Sequence, residues 1–137
     1  MIRYAVIDTN VLVSALLSPK NDSATVQVVQ KIINGNIIQI YSHEIAREYK
    51  IVLNRKKFKF SQNNIDFLLN SIFFFGIFFG PISCNLSLPD IKDLPFYLTA
   101  LQNQDKDSFL VTGNLKHFPS EPFIVTPRHF INIFNEN

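Results

Sequence analysis

Three acidic residues lie where a carboxylate could bind a cation. Asp8 follows an apolar run, Glu48 borders the apolar stripe of a predicted helix, and Asp93 precedes a predicted helix start. A carboxylate in such a position is costly unless water, a cation or backbone donors receive it. We therefore consider all three as metal ligands. The alternatives are that Asp8 and Asp93 cap helices and that Glu48 pairs with a neighbouring Lys or Arg.

Neutral oxygen donors accompany these acids. Thr112 and Asn114 end an apolar segment, and Asn10 follows Asp8 by two residues. Carboxylates from three separate segments, together with hydroxyl and amide oxygens, form a donor set typical of Mg²⁺ or Mn²⁺. The histidines are scattered at His43, His117 and His129, and we interpret them as structural hydrogen-bonding residues. With a single cysteine, Cys84, the sequence disfavours a zinc site.

Four other acids are weaker candidates for the metal site. Glu44 lies further from the apolar stripe of its helix than Glu48 and should be more exposed to solvent. Asp90 could be a second ligand or an acid within a turn. Asp105 and Asp107 precede a predicted strand, at the opposite edge from a site built at strand ends, and we interpret them as loop charges.

Strands and helices alternate along the sequence and must position these residues. Predicted strands cover residues 2–7, 37–41, 77–84, 108–112 and 123–125, and predicted helices cover 10–17, 23–34, 43–53, 62–75, part of 90–102, and 127–134. This alternation predicts one α/β domain over residues 1–137, a three-layer α/β/α sandwich with a mostly parallel central sheet. Right-handed crossovers bring the carboxyl ends of the strands to one edge, where ligands bind.

The stretch over residues 67–89 has no charged residue and is the one candidate for a membrane segment. Its most apolar part, residues 72–82, is far shorter than the roughly 20 residues that span a bilayer. We predict instead the end of a helix followed by a buried strand over 77–84, and no membrane segment. The single cysteine and the lack of a signal-peptide pattern favour the cytoplasm.

Four short segments occur in a fixed order along the chain. They are Asp8-Thr9-Asn10-Val11, residues 42–49 with the acid at Glu48, Asp93-Leu94-Pro95-Phe96, and residues 110–114 followed by Lys116-His117-Phe118-Pro119. Together they resemble the PIN-domain ribonucleases, specifically the family related to the VapC toxins of toxin–antitoxin pairs. The resemblance covers about residues 2–134. Asn114 departs from it, because many relatives carry Asp there, and this removes one negative charge from the metal site.

The resemblance implies a PIN-like fold and an endoribonuclease that depends on Mg²⁺ or Mn²⁺. It implies that Asp8 and Asp93 bind the metal and that Glu48 either binds it or orients the attacking water. Thr112 and Asn114, supported by Asn10, would position water or phosphate. It also implies a homodimer and a cognate antitoxin protein that blocks the site.

Basic residues are concentrated just after Glu48. Six of the thirteen lie between positions 47 and 59, namely Arg47, Lys50, Arg55, Lys56, Lys57 and Lys59. Phe58 and Phe60 alternate with them, which suits contacts with an RNA backbone combined with base stacking. We predict RNA binding by Arg55, Lys56, Lys57 and Lys59, against the alternative of a solvated helix end and loop. The net charge of +2 averages this cluster with the acidic edge.

Two other functions remain as alternatives. Asn114 favours a catalytically weakened PIN-like module that binds RNA or a protein without cutting. A phosphatase with Asp8 as nucleophile is disfavoured, because Asn10 stands where such an enzyme usually carries its second acid. A P-loop NTPase is not supported, since the chain has only four glycines and no glycine-rich phosphate loop.

Overall fold

A parallel sheet forms the centre of the protein, whose computed structural model describes residues 1–136. Its strands are β1 (Arg3–Ile7), β2 (Ile37–Tyr41), β3 (Ile77–Phe78), β4 (Phe109–Val111) and β5 (Ile124–Val125), in the order β3-β2-β1-β4-β5. Ala5 of β1 lies opposite Gln39 on one side and Phe109 on the other. Every strand pairing within the described residues is parallel, as the sequence predicts.

Helices flank this sheet and complete the predicted α/β sandwich. Within residues 1–136 they are α1 (Thr9–Leu17), α2 (Ala24–Ile33), α3 (His43–Leu53), α4 (Gln62–Phe75), α5 (Leu94–Leu101) and α6 (Pro127–Asn135). Short 3₁₀ helices cover Lys56–Phe58, Ile91–Asp93, Gln104–Lys106 and Leu115–His117. Helix α2 packs against α1, α4 and α6, whereas α5 lies against β1, β2 and β4. The fold class predicted from the sequence is therefore confirmed.

Polar residues at the helix starts set several of these boundaries. The Ser42 side chain accepts a hydrogen bond from the Ile45 amide at the start of α3, and Ser61 accepts one from Asn64 at the start of α4. Each bond satisfies an amide that has no partner within its helix. Gly35 adopts a φ of +78° between α2 and β2, a conformation that glycine tolerates without strain.

The fully buried side chain of Tyr49 joins α3 to the middle of the sheet. Its hydroxyl donates a hydrogen bond to the Ile7 carbonyl and accepts one from Nε2 of Gln39, 2.6 Å away. Ile7 ends β1 and Gln39 lies in β2, so one helical side chain contacts two neighbouring strands. These bonds hold α3 against the carboxyl end of β1, where Asp8 leaves the strand.

The predicted buried strand over residues 77–84 is wrong for most of its length. Strand β3 covers only Ile77 and Phe78, and Phe78 is 61% exposed. It lies at the edge of the sheet, paired with β2. Gly80 and Pro81 follow, and proline has no amide to donate to a neighbouring strand. The apolar run therefore leaves the sheet, and its Ile82 side chain is 76% exposed.

An irregular segment over residues 79–90 connects β3 to the 3₁₀ helix Ile91–Asp93. The Gln102 side chain, at the end of α5, fastens this segment. Its Oε1 accepts a hydrogen bond from the Ile82 amide and its Nε2 donates one to the Ile82 carbonyl, both at 2.8 Å. The segment that leads to Asp93 is thereby tied to the helix that follows it.

The apolar stretch over residues 67–89 does not build a membrane-spanning helix. Its helical part belongs to α4, which has 14 residues in total. Within residues 1–136, no helix combines the length and the apolar character needed to cross a membrane.

Candidate active site

Asp8 lies at the carboxyl end of β1, the central strand of the sheet. Only 7% of the residue is exposed, and its Oδ2 accepts a hydrogen bond from the Thr112 hydroxyl at 2.7 Å. Asp8 occupies the N-cap position of α1, but its side chain makes no capping hydrogen bond. The helix-capping alternative therefore does not account for this acid, and the sheet brings Asp8 and Thr112 together as predicted.

The surroundings of Asp8 favour the protonated form of its carboxyl group. Burial is the main cause, and the negative charges of Asp93 and Glu48 add to it. The hydrogen bonds from the Thr112 hydroxyl and the Thr9 amide act in the opposite direction, and the net effect raises the pKa of Asp8 from 3.8 to about 6. The three predicted acids are therefore close enough to influence one another electrostatically. A cation would relieve this repulsion.

Glu48 approaches Asp8 from α3. It is half-buried, whereas Glu44 is exposed, as the helical periodicity predicts. Its Oε2 accepts a hydrogen bond from the Thr9 hydroxyl, and Thr9 directly follows Asp8 in the chain. Within residues 1–136, Glu48 forms no salt bridge, so pairing with Arg47, Lys50 or Arg55 does not explain it.

Asp93 lies at the N-cap position of α5 and, like Asp8, makes no capping hydrogen bond with its side chain. Its Oδ2 is shielded from solvent and accepts no hydrogen bond, although Nδ1 of His117 lies 3.3 Å away. Burial and the charge of Asp90 raise the pKa of Asp93, and His117 opposes this rise. Oδ1 of Asp90 accepts a hydrogen bond from the Lys92 amide at 3.0 Å, which is the arrangement expected of an acid within a turn.

The neutral residues predicted at the site lie on the side of α1. Oδ1 of Asn10 accepts a hydrogen bond from the Gly113 amide at 3.3 Å, and the Asn114 amide donates to the Thr112 hydroxyl at 3.0 Å. Asn10 and Asn114 line a shallow pocket of about 270 Å³. Thr112 thus links Asp8 to the Asn114 turn, whereas the exposed Asn114 side chain faces this pocket.

The basic residues predicted to bind RNA divide into two groups. Arg55 lines a pocket of about 380 Å³ together with Glu48. Lys56, Lys57 and Lys59 are exposed but do not line that pocket. The Phe58 and Phe60 rings stack on each other, with centroids 5.3 Å apart and planes 11° apart. The structure therefore places Arg55 beside the candidate site and the lysines beyond it.

Three residues at the site were not predicted from the sequence. Thr9 orients Glu48, His117 contacts Asp93, and Lys92 lines the pocket beside Glu48. The sequence favours a structural role for His117, and its signal for the site is its place in the segment Lys116-His117-Phe118-Pro119, which follows Asn114 and is part of the family resemblance. Lys92 directly precedes Asp93, but whether its side chain points toward α3 depends on tertiary packing, which no local sequence pattern reveals.

Replacing Thr112 with Val tests whether its hydroxyl stabilises ionised Asp8. Valine has a similar shape but cannot donate to Oδ2, and hydrogen bonds to charged groups contribute about 1.5–3 kcal/mol. We expect the pKa of Asp8 to rise further and the metal-free protein to lose about that much stability at pH 8. Carbon-13 NMR titration of the aspartate carboxyl groups measures the shift. Thr112→Ser, which keeps the hydroxyl, is the control, and an unchanged Asp8 titration in the Val variant would contradict this role.

The donor chemistry at this edge fits a hard divalent cation. The available groups are carboxylate oxygens, one of them the buried Oδ2 of Asp93 without a hydrogen bond, and neutral oxygens. Within residues 1–136, no three His, Cys, Asp or Glu side chains are close enough to hold one ion together. Mg²⁺ usually keeps several waters and is bound through one or two carboxylates together with substrate phosphates.

The comparison with known families agrees with this geometry. The sequence model of the PIN domain matches residues 4–116, which include Asp8, Glu48, Asp93, Thr112 and Asn114. Neither the curated proteins nor the solved structures give a match to this chain. PIN domains are generally nucleases that use divalent metal ions and bind RNA. Since the match covers most of its length, the chain belongs to the PIN domain family.

Proposed function

We propose that this protein is an endoribonuclease that depends on Mg²⁺ or Mn²⁺ and acts as the toxin of a toxin–antitoxin pair. The main support for a catalytic role is the environment of Asp8. It is a buried acid at the end of the central strand, it does not cap its helix, and two other acids raise its pKa. Keeping such an acid costs stability, which a role in binding a cation explains.

The three carboxylates would have different roles at the site. Asp8 and Asp93 would hold the cation, since each has an oxygen that is not used for helix capping. A bound divalent ion supplies charge to polarise the scissile phosphate and lowers the pKa of a bound water. Glu48, fixed by the Thr9 hydroxyl, would orient the attacking water. Thr112 keeps Asp8 ready to bind by donating to its Oδ2.

RNA would reach these acids across the basic end of α3. Arg55, Lys56, Lys57 and Lys59 are exposed, and contacts between such residues and phosphates contribute a large part of nucleic-acid affinity. Phe58 and Phe60 offer an aromatic stack nearby, on which an unpaired base could lie.

A toxin would also need partner surfaces, and exposed apolar residues support their presence. Phe74 at the end of α4 is 81% exposed, and Phe78 and Ile82 are each more than half exposed. Exposed apolar side chains of this size offer surface that a protein partner could bury. We propose that the protein is a homodimer bound by an antitoxin. The single, exposed Cys84 supports a location in the cytoplasm.

A second function is favoured by Asn114. This exposed amide stands where an acid would add a negative charge to the cation site, so the metal would bind more weakly. The chain would then be a PIN-like module that binds RNA or a protein without cutting it. This alternative predicts RNA binding that does not depend on a divalent ion.

Cleavage assays with purified protein and labelled RNA separate the two functions. We expect cleavage with Mg²⁺ or Mn²⁺, none with EDTA, and a loss of about 10²-fold or more for Asp93→Asn, because metal-ion catalysis contributes several kcal/mol. The control is Asp105→Asn, an exposed loop acid before β4 that we expect to leave the rate unchanged. RNA binding without cleavage under either ion would support the second function. Cleavage unaffected by Asp93→Asn would contradict the proposed site.

A further inference from the structure

A pocket lies between α3 and the 3₁₀ helix Ile91–Asp93, on the side of Glu48 away from the sheet core. Its volume is about 380 Å³, within the range of small-ligand sites. Its α3 residues recur at the spacing of one exposed helix face. The lining consists of His43, Glu44, Arg47, Glu48, Ile51, Val52 and Arg55 from α3 and its C-terminal end, with Lys92 from the 3₁₀ helix.

The lining combines an apolar floor with three cationic side chains, which outnumber its two carboxylates, Glu44 and Glu48. Ile51 and Val52 provide the floor, and Ile51, in the last turn of α3, is 55% exposed. Arg47, Arg55 and Lys92 provide the charges, and none of the three forms a salt bridge within residues 1–136. An apolar surface beside free cations matches a nucleotide, which has a flat base and an anionic phosphate.

The position of the pocket relative to Glu48 indicates which nucleotide it would hold. Ile51 and Val52 lie between Glu48 and Arg55 along the chain. At 1.5 Å per residue, the end of α3 at Leu53 is about 7.5 Å further along the helix axis than Glu48, and Arg55 follows just beyond that end. A phosphate bound by Arg55 and a phosphate near Glu48 would therefore lie on either side of one nucleotide. That nucleotide would rest on Ile51 and Val52. Arg47 lies beside Glu48 at the other end of the same surface.

We propose that this pocket binds the unpaired nucleotide next to the cleaved phosphate, with Ile51 and Val52 against its base or ribose and with Arg55 and Lys92 on its far phosphate. The proposal rests on the proposed ribonuclease function, and it adds a specific subsite to it. Because the floor contacts a base face, the pocket selects RNA whose bases are unstacked. A duplex would keep that base stacked and out of reach.

Binding measured apart from cleavage tests this subsite. The probe is a short fluorescein-labelled single-stranded RNA, followed by anisotropy in Mg²⁺ buffer with the full chain carrying Asp8→Asn, which prevents cutting during the measurement. Adding Arg55→Ala or Lys92→Ala should weaken binding about 3- to 10-fold. Each should also reduce the salt dependence by roughly 0.7 in the slope of log affinity against log salt, because one phosphate contact is lost.

Two controls and a kinetic measurement define the outcomes. Lys20→Ala removes an exposed lysine after α1, outside the pocket, and should leave binding unchanged. The same RNA annealed to its complement should bind more weakly than the single strand. Without Asp8→Asn, Arg55→Ala should raise KM more than it lowers kcat. If Arg55→Ala and Lys92→Ala bind RNA as tightly as Lys20→Ala, the subsite is wrong.

Different experimental results would overturn the subsite and the proposed function. RNA cleavage by the wild-type chain with no effect of Arg55→Ala or Lys92→Ala overturns the subsite alone. Binding that depends on both residues, in a chain that cuts no RNA, overturns the nuclease function and supports the subsite. A polyglutamate peptide that binds at Arg55 and Lys92 while RNA does not would overturn the subsite in favour of an acidic protein partner.

Discussion

Replacing Asp8 with Asn is expected to reduce RNA cleavage by about 10³-fold while making the metal-free protein more stable above pH 6. Activity falls because the central cation ligand loses its charge, and electrostatic stabilisation by a metal contributes several kcal/mol to such a reaction. Stability rises because the wild-type chain must ionise a buried carboxyl group next to Asp93 and Glu48. One substitution should thus change the two properties in opposite directions.

The sign of the stability effect follows from the direction of the pKa shift. Folding raises the pKa of Asp8 from 3.8 to about 6, so the folded protein favours protonated Asp8. Its contribution to stability is present below about pH 4 and is lost as the pH rises through about 6. The full loss corresponds to about 3 kcal/mol. Asparagine carries no charge at either pH, so the variant does not suffer this loss.

Thermal unfolding in EDTA at pH 4 and pH 8 measures the effect. We expect similar Tm values for wild type and Asp8→Asn at pH 4, and a Tm about 5–10 °C higher for the variant at pH 8. Adding Mg²⁺ should stabilise the wild type more than the variant. Asp105→Asn, at an exposed acid, should match the wild type throughout. A variant less stable than wild type at pH 8 would show that ionised Asp8 is not a source of strain.

Replacing Tyr49 with Phe is expected to destabilise the protein by about 2–3 kcal/mol and to reduce cleavage about 10-fold. The substitution leaves the Ile7 carbonyl and the Gln39 amide without their buried partner, and each unmet group costs about 1–3 kcal/mol. Oε1 of Gln39 already has no hydrogen-bond partner, so this side chain would become wholly unsatisfied. Activity should fall because the same bonds position α3, and therefore Glu48, against the end of β1.

Urea unfolding and cleavage rates at a temperature where both proteins are folded measure these effects. Tyr41→Phe is the matched control, since Tyr41 is half-buried and its ring packs against Phe73 and Phe78. Adding Gln39→Leu to Tyr49→Phe should recover part of the lost stability, because it removes the unsatisfied amide. A loss of stability no larger than that of Tyr41→Phe would refute the role assigned to this hydroxyl.

Local signals explain why much of the fold could be predicted. The predicted bounds of β2 and α3 match the structure, because Gly35 turns the chain before the strand and Ser42 caps the helix after it. Once the strands are known to be parallel, Asp8 and Thr112 must meet at the same edge. Asp8, Glu48 and Asp93 could be selected as candidates because each stands at an element boundary or at the edge of an apolar stripe, and the resemblance to PIN-domain motifs favoured them over the capping and ion-pair alternatives.

Other parts of the molecule could not be predicted because they depend on packing between distant segments. Residues 77–84 are apolar enough for a buried strand, but burial requires a covering element, and the edge strand β3 has none there. His117 meets Asp93, and Lys92 faces α3, only because the turns after β4 and before α5 meet at one edge. Sequence patterns report what a residue prefers, whereas these contacts depend on where its neighbours lie.

The exposed segment over residues 79–90 separates the residues of the candidate site into two groups along the chain, so the protein could be split there. Asp8 and Glu48 precede it, whereas Asp93 and Thr112 follow it. Gly80 lies in open space, so chain ends could be accommodated there without displacing neighbouring atoms. Of two polypeptides divided at this point, the first would carry Asp8 and Glu48 and the second would carry Asp93 and Thr112. Cleavage of RNA by such a split enzyme would report directly on fragment complementation, with the Gln102 contact to Ile82 helping to hold the halves together.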